Sequence, residues 1–138
     1  MKRKLNCVML IDDNEDDNFF HQIILNDLKI TKHIQVAESG FEALEYLQKG
    51  EQLPDLIFLD INMPKMNGWE FLEEYDKLKL SINSGLVIIV LTTSLNPSDK
   101  EKSRKINLIS GFECKPLNEE IVNRILNSFF RNHADGSI

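Results

Sequence analysis

Short apolar runs alternate along the chain with longer segments in which apolar residues recur at helical spacing. Turn-forming residues bound the short runs, which is typical of buried parallel strands. The alternation occurs five times and therefore predicts an α/β fold, with a five-stranded parallel sheet and helices on both faces. The predicted strands lie near 5–11, 34–38, 55–60, 86–91 and 111–115, and the predicted helices near 15–29, 40–49, 67–80, 97–109 and 118–131.

Capping residues mark the starts of three predicted helices. Ser39, three residues before Glu42, fits a capping box, and Asn96 before Pro97 fits an N-cap with a first-turn proline. Asn118 marks the last helix in the same way. The predicted buried stripes are Phe20, Ile23, Ile24 and Leu28 in the first helix, Phe71, Leu72, Tyr75 and Leu78 in the third, and Ile121, Val122, Ile125, Leu126, Phe129 and Phe130 in the last. The last stripe is broad enough to serve either the core alone or a partner as well.

Polar residues follow four of the predicted strands at the points where these strands end. They are Asp12 and Asp13 after the first strand, Asp60 after the third, Thr92 after the fourth and Lys115 after the fifth. Because ligands of an open parallel sheet bind at the carboxyl ends of the strands, we expect these side chains to converge at one edge. Three carboxylates, a hydroxyl and an ammonium suit the metal-assisted transfer of a phosphoryl group to an aspartate.

The chemistry of these groups suggests how they would cooperate. Asp13 and Asp60 would repel each other, and a cation such as Mg²⁺, which prefers hard oxygen ligands, relieves that repulsion. A carboxylate nucleophile would form an acyl phosphate, and the Lys115 ammonium and the Thr92 hydroxyl would stabilise the phosphoryl oxygens. Each group alone also has an ordinary structural interpretation, such as a helix cap for the acidic pair. The prediction therefore depends on their joint occurrence.

Length, composition and charge narrow the class of protein. The 138 residues predict a single domain, 1–138, with a core of about 5–132 and a flexible tail at 133–138. The net charge of −6 argues against nucleic-acid binding, and no apolar run reaches the roughly 18 residues that membrane insertion requires. Cys7 and Cys114 fall in predicted strands, and we interpret them as buried apolar residues of a cytoplasmic protein.

The polar residues at the strand ends belong to longer motifs. These are Asp12-Asp13, Asp60-Ile61-Asn62-Met63-Pro64-Lys65-Met66-Asn67-Gly68, Leu91-Thr92-Thr93-Ser94 and Lys115-Pro116. With these motifs in this order, nearly the whole chain resembles the receiver domain of two-component response regulators, of the single-domain type similar to chemotaxis regulators. The resemblance implies a flavodoxin-like, doubly wound (βα)5 fold with the strand order 2-1-3-4-5.

The resemblance also implies a role for each site residue. Asp60 would be the phosphoacceptor, and Lys115 would pair with the phosphoryl group. Mg²⁺ would be bound by Asp13, Asp60 and the backbone carbonyl of Asn62, with Asp12 helping through a water molecule.

A conformational switch is implied as well. The Thr92 hydroxyl would move toward the phosphoryl group, and Phe112 occupies the aromatic switch position. Because Phe112 lacks the hydroxyl of the tyrosine found in many family members, it would act by packing alone. The bond from Lys115 to Pro116 would be cis. Asn62, two residues after the phosphoacceptor, and Ser94 lie where the family tunes the rate of dephosphorylation.

The implied partners are a histidine kinase or phosphotransfer protein as donor and a downstream protein of unknown identity. The downstream protein would bind a new face near the fourth and fifth helices, where a homodimer is also conceivable. We expect no enzymatic activity beyond the chain's own phosphorylation and dephosphorylation at Asp60. Because the chain ends soon after the fifth helix, it is either a stand-alone receiver or a fragment of a longer chain, and we expect the first. The basic residues of the predicted fourth helix on that face are Lys100, Lys102, Arg104 and Lys105.

Three other functions remain as alternatives. A phosphohydrolase of the haloacid-dehalogenase kind also forms an aspartyl phosphate, but its Asp-x-Asp motif follows the first strand rather than the third. A flavodoxin-like mononucleotide binder needs glycine or hydroxyl groups where Asp12 and Asp13 would repel phosphate. A receiver-like interaction module would act without phosphorylation. The histidines, which show no ligand spacing and are expected to be exposed or partly packed, are His21, His33 and His133.

Overall fold

Five strands and five helices alternate along the part of the chain that the structure, a computed structural model, describes: residues 4–78, 86–93 and 96–130. They are β1 (Val8–Ile11), α1 (Glu15–Leu28), β2 (Ile34–Ala37), α2 (Gly40–Lys49), β3 (Leu56–Leu59), α3 (Gly68–Lys77), β4 (Val87–Thr92), α4 (Pro97–Arg104), β5 (Gly111–Cys114) and α5 (Glu119–Phe129). The strands form one parallel sheet in the order β2-β1-β3-β4-β5. The α/β class, the flavodoxin-like topology and the strand order are therefore confirmed.

Apolar side chains cover both faces of the sheet, which explains why β1 and β3 are apolar at every position. In β1, Val8 and Leu10 belong to one core cluster, while Met9 and Ile11 belong to the other. The first cluster includes residues of α1 and α5, and the second includes residues of α2 and α3. The helices therefore lie on opposite faces and leave the strand ends open.

The register of the sheet brings the ends of the central strands side by side. Ile11 pairs with Leu59, and the N–H of Asp60 donates a 2.9 Å hydrogen bond to the carbonyl of Ile11. Between β4 and β5, the N–H of Lys115 donates to the carbonyl of Thr92 over 2.7 Å. The residues that follow the strands thus reach one edge at the same height.

Side-chain caps begin the helices much as the sequence predicts. The residues predicted to cap α2, α4 and α5 each accept a hydrogen bond from the N–H three residues further along. The capping box predicted for Ser39 and Glu42 is wrong, because the Glu42 carboxylate accepts from the N–H of Glu38 instead of Ser39. A complete capping box forms at the start of α3, between Asn67 and Glu70.

The buried face of α1 differs from the predicted stripe. Phe20 and Ile23 are 43% and 42% exposed, whereas the buried side chains are Asn18, His21 and Leu25. The other two residues of the predicted stripe are partly buried against the first core cluster. The inward face of α1 is polar near the start of the helix because this part of α1 lies over the strand ends. A prediction from hydrophobicity alone therefore chose the wrong face.

Some element boundaries also shift. Helix α4 ends at Arg104 instead of near residue 109, because the residues that follow leave the helical path and pack against the second core cluster. Strand β1 begins at Val8, after an isolated bridge between Leu5 and Thr31. The predicted ends of the third and fifth helices, Ser94 and the predicted tail lie wholly or partly outside the described residues. The prediction of a single domain stays a prediction.

The two cysteines differ in exposure. Cys7 is buried as predicted, but Cys114 is exposed, so its interpretation as a buried residue is wrong. Strand β5 is an edge strand whose residues are at most partly covered, which accounts for the difference. Within the described ranges, no helix combines the length and apolar character needed to cross a membrane.

Candidate functional site

Three carboxylates meet at the carboxyl edge of the sheet. Asp12 and Asp13 follow β1 and Asp60 follows β3, and one oxygen from each lies within 4.8 Å of the others. Asp12 and Asp60 are buried, with 4% and 6% exposure, while Asp13 is exposed. The convergence expected from the strand ends is therefore present, and it provides hard oxygen donors suited to a divalent cation.

Backbone hydrogen bonds hold two of these carboxylates in place. Asp12 Oδ1 accepts from the N–H of Asn14, and Asp60 Oδ1 accepts from the N–H of Asn62, each over 3.0 Å. Each aspartate side chain thus accepts from the N–H two residues further along the chain. This hydrogen bond forms a turn that aspartate favours. Asn18 Nδ2 also donates to the carbonyl of Asp12 over 2.8 Å, which ties α1 to the end of β1.

The ammonium of Lys115 lies among the carboxylates. Its Nζ is 2.6 Å from Asp12 Oδ2, 2.7 Å from Asp17 Oδ2 and 3.6 Å from Asp60 Oδ2. Burial lowers the pKa of Lys115, but its hydrogen bonds to Asp12 and Asp17 and the charges of Asp12 and Asp60 outweigh that effect and raise the pKa to about 12. Lys115 is therefore a permanent cation at physiological pH.

Asp60 is harder to ionise than an ordinary aspartate. Burial raises its pKa from 3.8 to about 6, and the neighbouring charge of Asp12 acts in the same direction. The hydrogen bond from the N–H of Asn62 and the charge of Lys115 lower the pKa but only partly compensate. A cation bound beside Asp60 would favour its ionised form.

This pKa shift predicts how stability depends on pH when no divalent cation is bound. Because folding raises the pKa of Asp60, its contribution to stability is fully present below about pH 4 and is lost as the pH rises through about 6. Asp60→Asn removes this titration while keeping an oxygen that can accept from Asn62. We expect the variant to gain on the order of 2 kcal/mol over the wild type across that interval.

Urea unfolding in the presence of a chelator, at several pH values, checks this prediction. The matched control is Asp16→Asn, which removes one carboxylate from an exposed position of α1. Its stability should follow that of the wild type across the interval. A constant difference between Asp60→Asn and the wild type at all pH values would contradict the assignment.

A hydrogen bond joins the side chains of Asn62 and Thr92. Thr92 is fully buried at the end of β4, and its Oγ1 accepts from Asn62 Nδ2 over 3.0 Å. The resemblance assigned the backbone carbonyl of Asn62 to the Mg²⁺ site and its position to the tuning of dephosphorylation, but it gave the Asn62 side chain no partner. The structure thus shows what holds the Thr92 hydroxyl, the group expected to move.

Beyond Thr92, the surface between α4 and β5 contains the expected aromatic switch residue. Phe112 is half-buried and lines a cavity of about 290 Å³, together with Lys100 and Arg104 of α4. Helix α4 has no buried residue of its own.

Lys102 Nζ lies 5.3 Å from the ring centroid of Trp69 at the start of α3.

At the end of β5, the peptide bond from Lys115 to Pro116 is cis, the geometry that the resemblance implied. The bond directly follows the residue whose ammonium enters the acidic cluster.

Sequence reasoning missed two residues beside the site. Asp17 pairs with Lys115, and His21, expected to be exposed or partly packed, is only 2% exposed. Burial lowers the pKa of His21, and so does the charge of Lys115, while the charges of Asp12 and Asp17 raise it. The available signal was spacing, since Asp17, His21 and Leu25 recur every four residues and so share one helix face.

Comparison with known proteins agrees with the geometry. The family model of the response regulator receiver domain matches residues 8–127. The chain is 30% identical over 133 residues to the sensor histidine kinase CheAY of Helicobacter pylori, which covers 94% of this chain but 16% of that kinase. The response regulator Rcp1 of Synechocystis is 29% identical over 106 residues, or 73% of this chain and 71% of Rcp1.

Solved structures show the same likeness. A two-component response regulator from Cytophaga hutchinsonii matches with a TM-score of 0.86 and 29% identity, over 94% of this chain and 99% of that one. The chemotaxis protein CheY4 of Vibrio cholerae matches with a TM-score of 0.72 and 27% identity, over 91% and 99% of the two chains.

The chain therefore belongs to the response regulator receiver domain family. It is a receiver domain of two-component signalling, similar to the chemotaxis regulators. Receiver domains of this family interact with histidine kinases and phosphotransfer proteins.

Proposed function

We propose that this chain is a response regulator receiver that accepts a phosphoryl group on Asp60. The donor is a histidine kinase or a phosphotransfer protein, Mg²⁺ is required, and phosphorylation switches the binding of a downstream protein. The observation that carries the proposal is the convergence of Asp12, Asp13 and Asp60 within 4.8 Å, with Lys115 Nζ 3.6 Å from Asp60.

The donor set fits Mg²⁺. The oxygens of Asp13 and Asp60 and the backbone carbonyl of Asn62 would bind the ion directly, and Asp12 would help through water. Lys115 alone does not balance the carboxylates around it, so a divalent cation would relieve their mutual repulsion. When bound, the ion supplies positive charge to the phosphoryl oxygens.

Asp60 acts as the nucleophile. One oxygen of its carboxylate bonds to phosphorus while the P–N bond of the donor phosphohistidine breaks, and the leaving imidazole keeps the electron pair and takes up a proton. A pKa of about 6 leaves Asp60 mostly ionised at neutral pH. Lys115 then pairs with one phosphoryl oxygen, and the Thr92 hydroxyl donates to another.

The switch is a shift between two arrangements of the surface around α4. Transfer of the Thr92 hydroxyl from Asn62 to the phosphoryl group vacates space behind β4, into which Phe112 packs. Helix α4 can follow because none of its residues is buried. The cavity between α4 and β5 then changes shape, and a partner that prefers the new shape stabilises it.

The chain acts on no substrate other than itself and its phosphodonor, and it works in the cytoplasm, consistent with its free cysteines. The downstream partner is a protein that binds near α4 and α5, where a homodimer could also form. Neither nucleic acid nor a membrane takes part.

The direct test is phosphorylation by acetyl phosphate with Mg²⁺, read by intact mass. The wild type and Asp16→Asn should each gain one phosphoryl group, because the exposed Asp16 lies outside the cluster. Asp60→Asn, and the wild type with a chelator, should gain none.

A gain of mass in Asp60→Asn would overturn the assignment of the acceptor. Failure of the wild type with acetyl phosphate would be followed by binding of beryllofluoride with Mg²⁺, a phosphoryl mimic that needs no donor recognition. Failure of both would favour the receiver-like interaction module that acts without phosphorylation.

A further inference from the structure

Lys115 is held more closely by two other carboxylates than by the proposed phosphoacceptor. Its Nζ lies 2.6 Å from Asp12 and 2.7 Å from Asp17 but 3.6 Å from Asp60. The contact with Asp17 is a hydrogen bond, whereas 3.6 Å is too long for one. Asp17 therefore competes directly for the ammonium that a phosphoryl group on Asp60 would use.

The start of α1 holds Asp17 in this position. The N–H of Asp17 donates to Asn14 Oδ1 over 3.0 Å, and the N–H of Asn14 donates to Asp12 Oδ1. The capping turn thus links Asp17 to the acidic cluster through two hydrogen bonds. The Asp17 side chain is 35% exposed, compared with 7% for Lys115, so water reaches one partner of the pair.

We propose that Asp17 is a positioning residue that holds Lys115 back from Asp60 and thereby weakens the phosphorylated state. This inference rests on the proposed function. An ammonium has three N–H donors, and every carboxylate that shares it reduces the charge available to the phosphoryl oxygens. The phosphoryl group must either draw Lys115 away from Asp17 or bind beside the negative charge of Asp17, and both cost free energy.

The competition predicts a gain on removing the charge of Asp17. Asp17→Asn keeps the size of the side chain but pairs with Lys115 only weakly. Its affinity for beryllofluoride in the presence of Mg²⁺ should rise by about three- to tenfold, a range set by a charge pair that is partly exposed. The initial rate of phosphorylation by acetyl phosphate should rise in the same direction.

Asp16→Asn is the matched control because it removes the same charge one residue earlier. Asp16 is exposed and lies about 100° around the helix from Asp17, so its carboxylate points elsewhere. We expect its affinity for beryllofluoride to stay within about twofold of the wild type, as for a screened surface charge. Asp17→Glu, which keeps the negative charge, should still compete for Lys115 and should bind beryllofluoride with an affinity close to that of the wild type.

Salt dependence separates this role from a merely structural one. Because Asp17 is partly exposed, added salt should narrow the affinity difference between Asp17→Asn and the wild type. A change that only loosened α1 would lower the affinity and would persist in salt. If Asp17→Asn folds poorly by circular dichroism, Asp17→Ser removes the charge by another route. Its affinity for beryllofluoride should then rise in the same way, and added salt should narrow the difference from the wild type.

The possible failures are distinguishable. If the wild type binds beryllofluoride and Asp17→Asn binds no more tightly than Asp16→Asn, the inference about Asp17 is overturned while the proposed function stands. If wild type and variants alike fail to bind beryllofluoride and to accept a phosphoryl group, the proposed function fails and the inference about Asp17 fails with it.

Discussion

Lys115→Met is expected to lower the free energy of unfolding by roughly 3 kcal/mol at neutral pH without added divalent cation. The substitution keeps an unbranched apolar stem but removes the ammonium that lies 2.6 Å from Asp12 and 3.6 Å from Asp60. Both carboxylates are buried, so they would be left facing each other without a counter-charge. Removing one partner of a buried ion pair costs more than the pair contributes, since the remaining charges stay buried.

Urea unfolding measures this loss, and two comparisons identify its cause. Lys77→Met removes the exposed ion pair with Glu74 and should change stability by less than about 0.5 kcal/mol. Adding Asp60→Asn to Lys115→Met should recover part of the loss, because one unpaired charge disappears. The loss should also shrink below pH 6, where Asp60 takes up a proton. Equal losses for the two lysine variants would contradict the electrostatic account.

Gly68→Ala is the second change with a large expected effect. A Cβ at Gly68 would lie 2.7 Å from the Cα of Ile61 and 3.0 Å from the carbonyl oxygen of Asp60. Both contacts are to backbone, which cannot rotate away as a flexible side chain would. We expect a loss of roughly 1–3 kcal/mol in the free energy of unfolding, in the range of overpacked core substitutions. Because the displaced backbone carries Asp60, phosphorylation by acetyl phosphate should also slow.

Gly50→Ala is the control for Gly68→Ala. Gly50 has a φ of +64°, and nothing lies within 4 Å of a Cβ built there. The alanine should therefore cost about 1 kcal/mol through backbone conformation alone and leave phosphorylation unchanged. If Gly68→Ala matched Gly50→Ala in both measurements, close contact with the backbone of Ile61 would not be what requires glycine.

The positions of the main site residues could be predicted because they depend on topology. An apolar run sufficient to form a buried strand also fixes where that strand ends, and the next residue then faces the open edge of the sheet. Asp12, Asp60 and Lys115 occupy such positions, and the structure brings them together. Little detail about side chains was needed for that conclusion.

The contacts of α1 could not be predicted in the same way. Neighbouring acidic residues at its start look equivalent in sequence, and only the rotation of the helix decides that Asp17 reaches Lys115 while Asp16 faces water. The same rotation buries His21 and exposes Phe20, the reverse of what hydrophobicity favours. Polar residues of α1 can be buried over this edge of the sheet because they have charged neighbours there. The apolar stripe of the sequence therefore does not decide which face of α1 points inward.

The contact between Lys102 and Trp69 has a spectroscopic consequence. Trp69 is the single tryptophan of the chain, so indole emission reports on one location at the boundary of α3 and α4. The ammonium of Lys102 lies 5.3 Å from the ring centroid, so its charge is part of the electrostatic environment of the indole. We therefore expect a displacement of α4 that alters this contact to change the fluorescence of the unlabelled protein, so that stopped-flow fluorescence could follow the helix in real time.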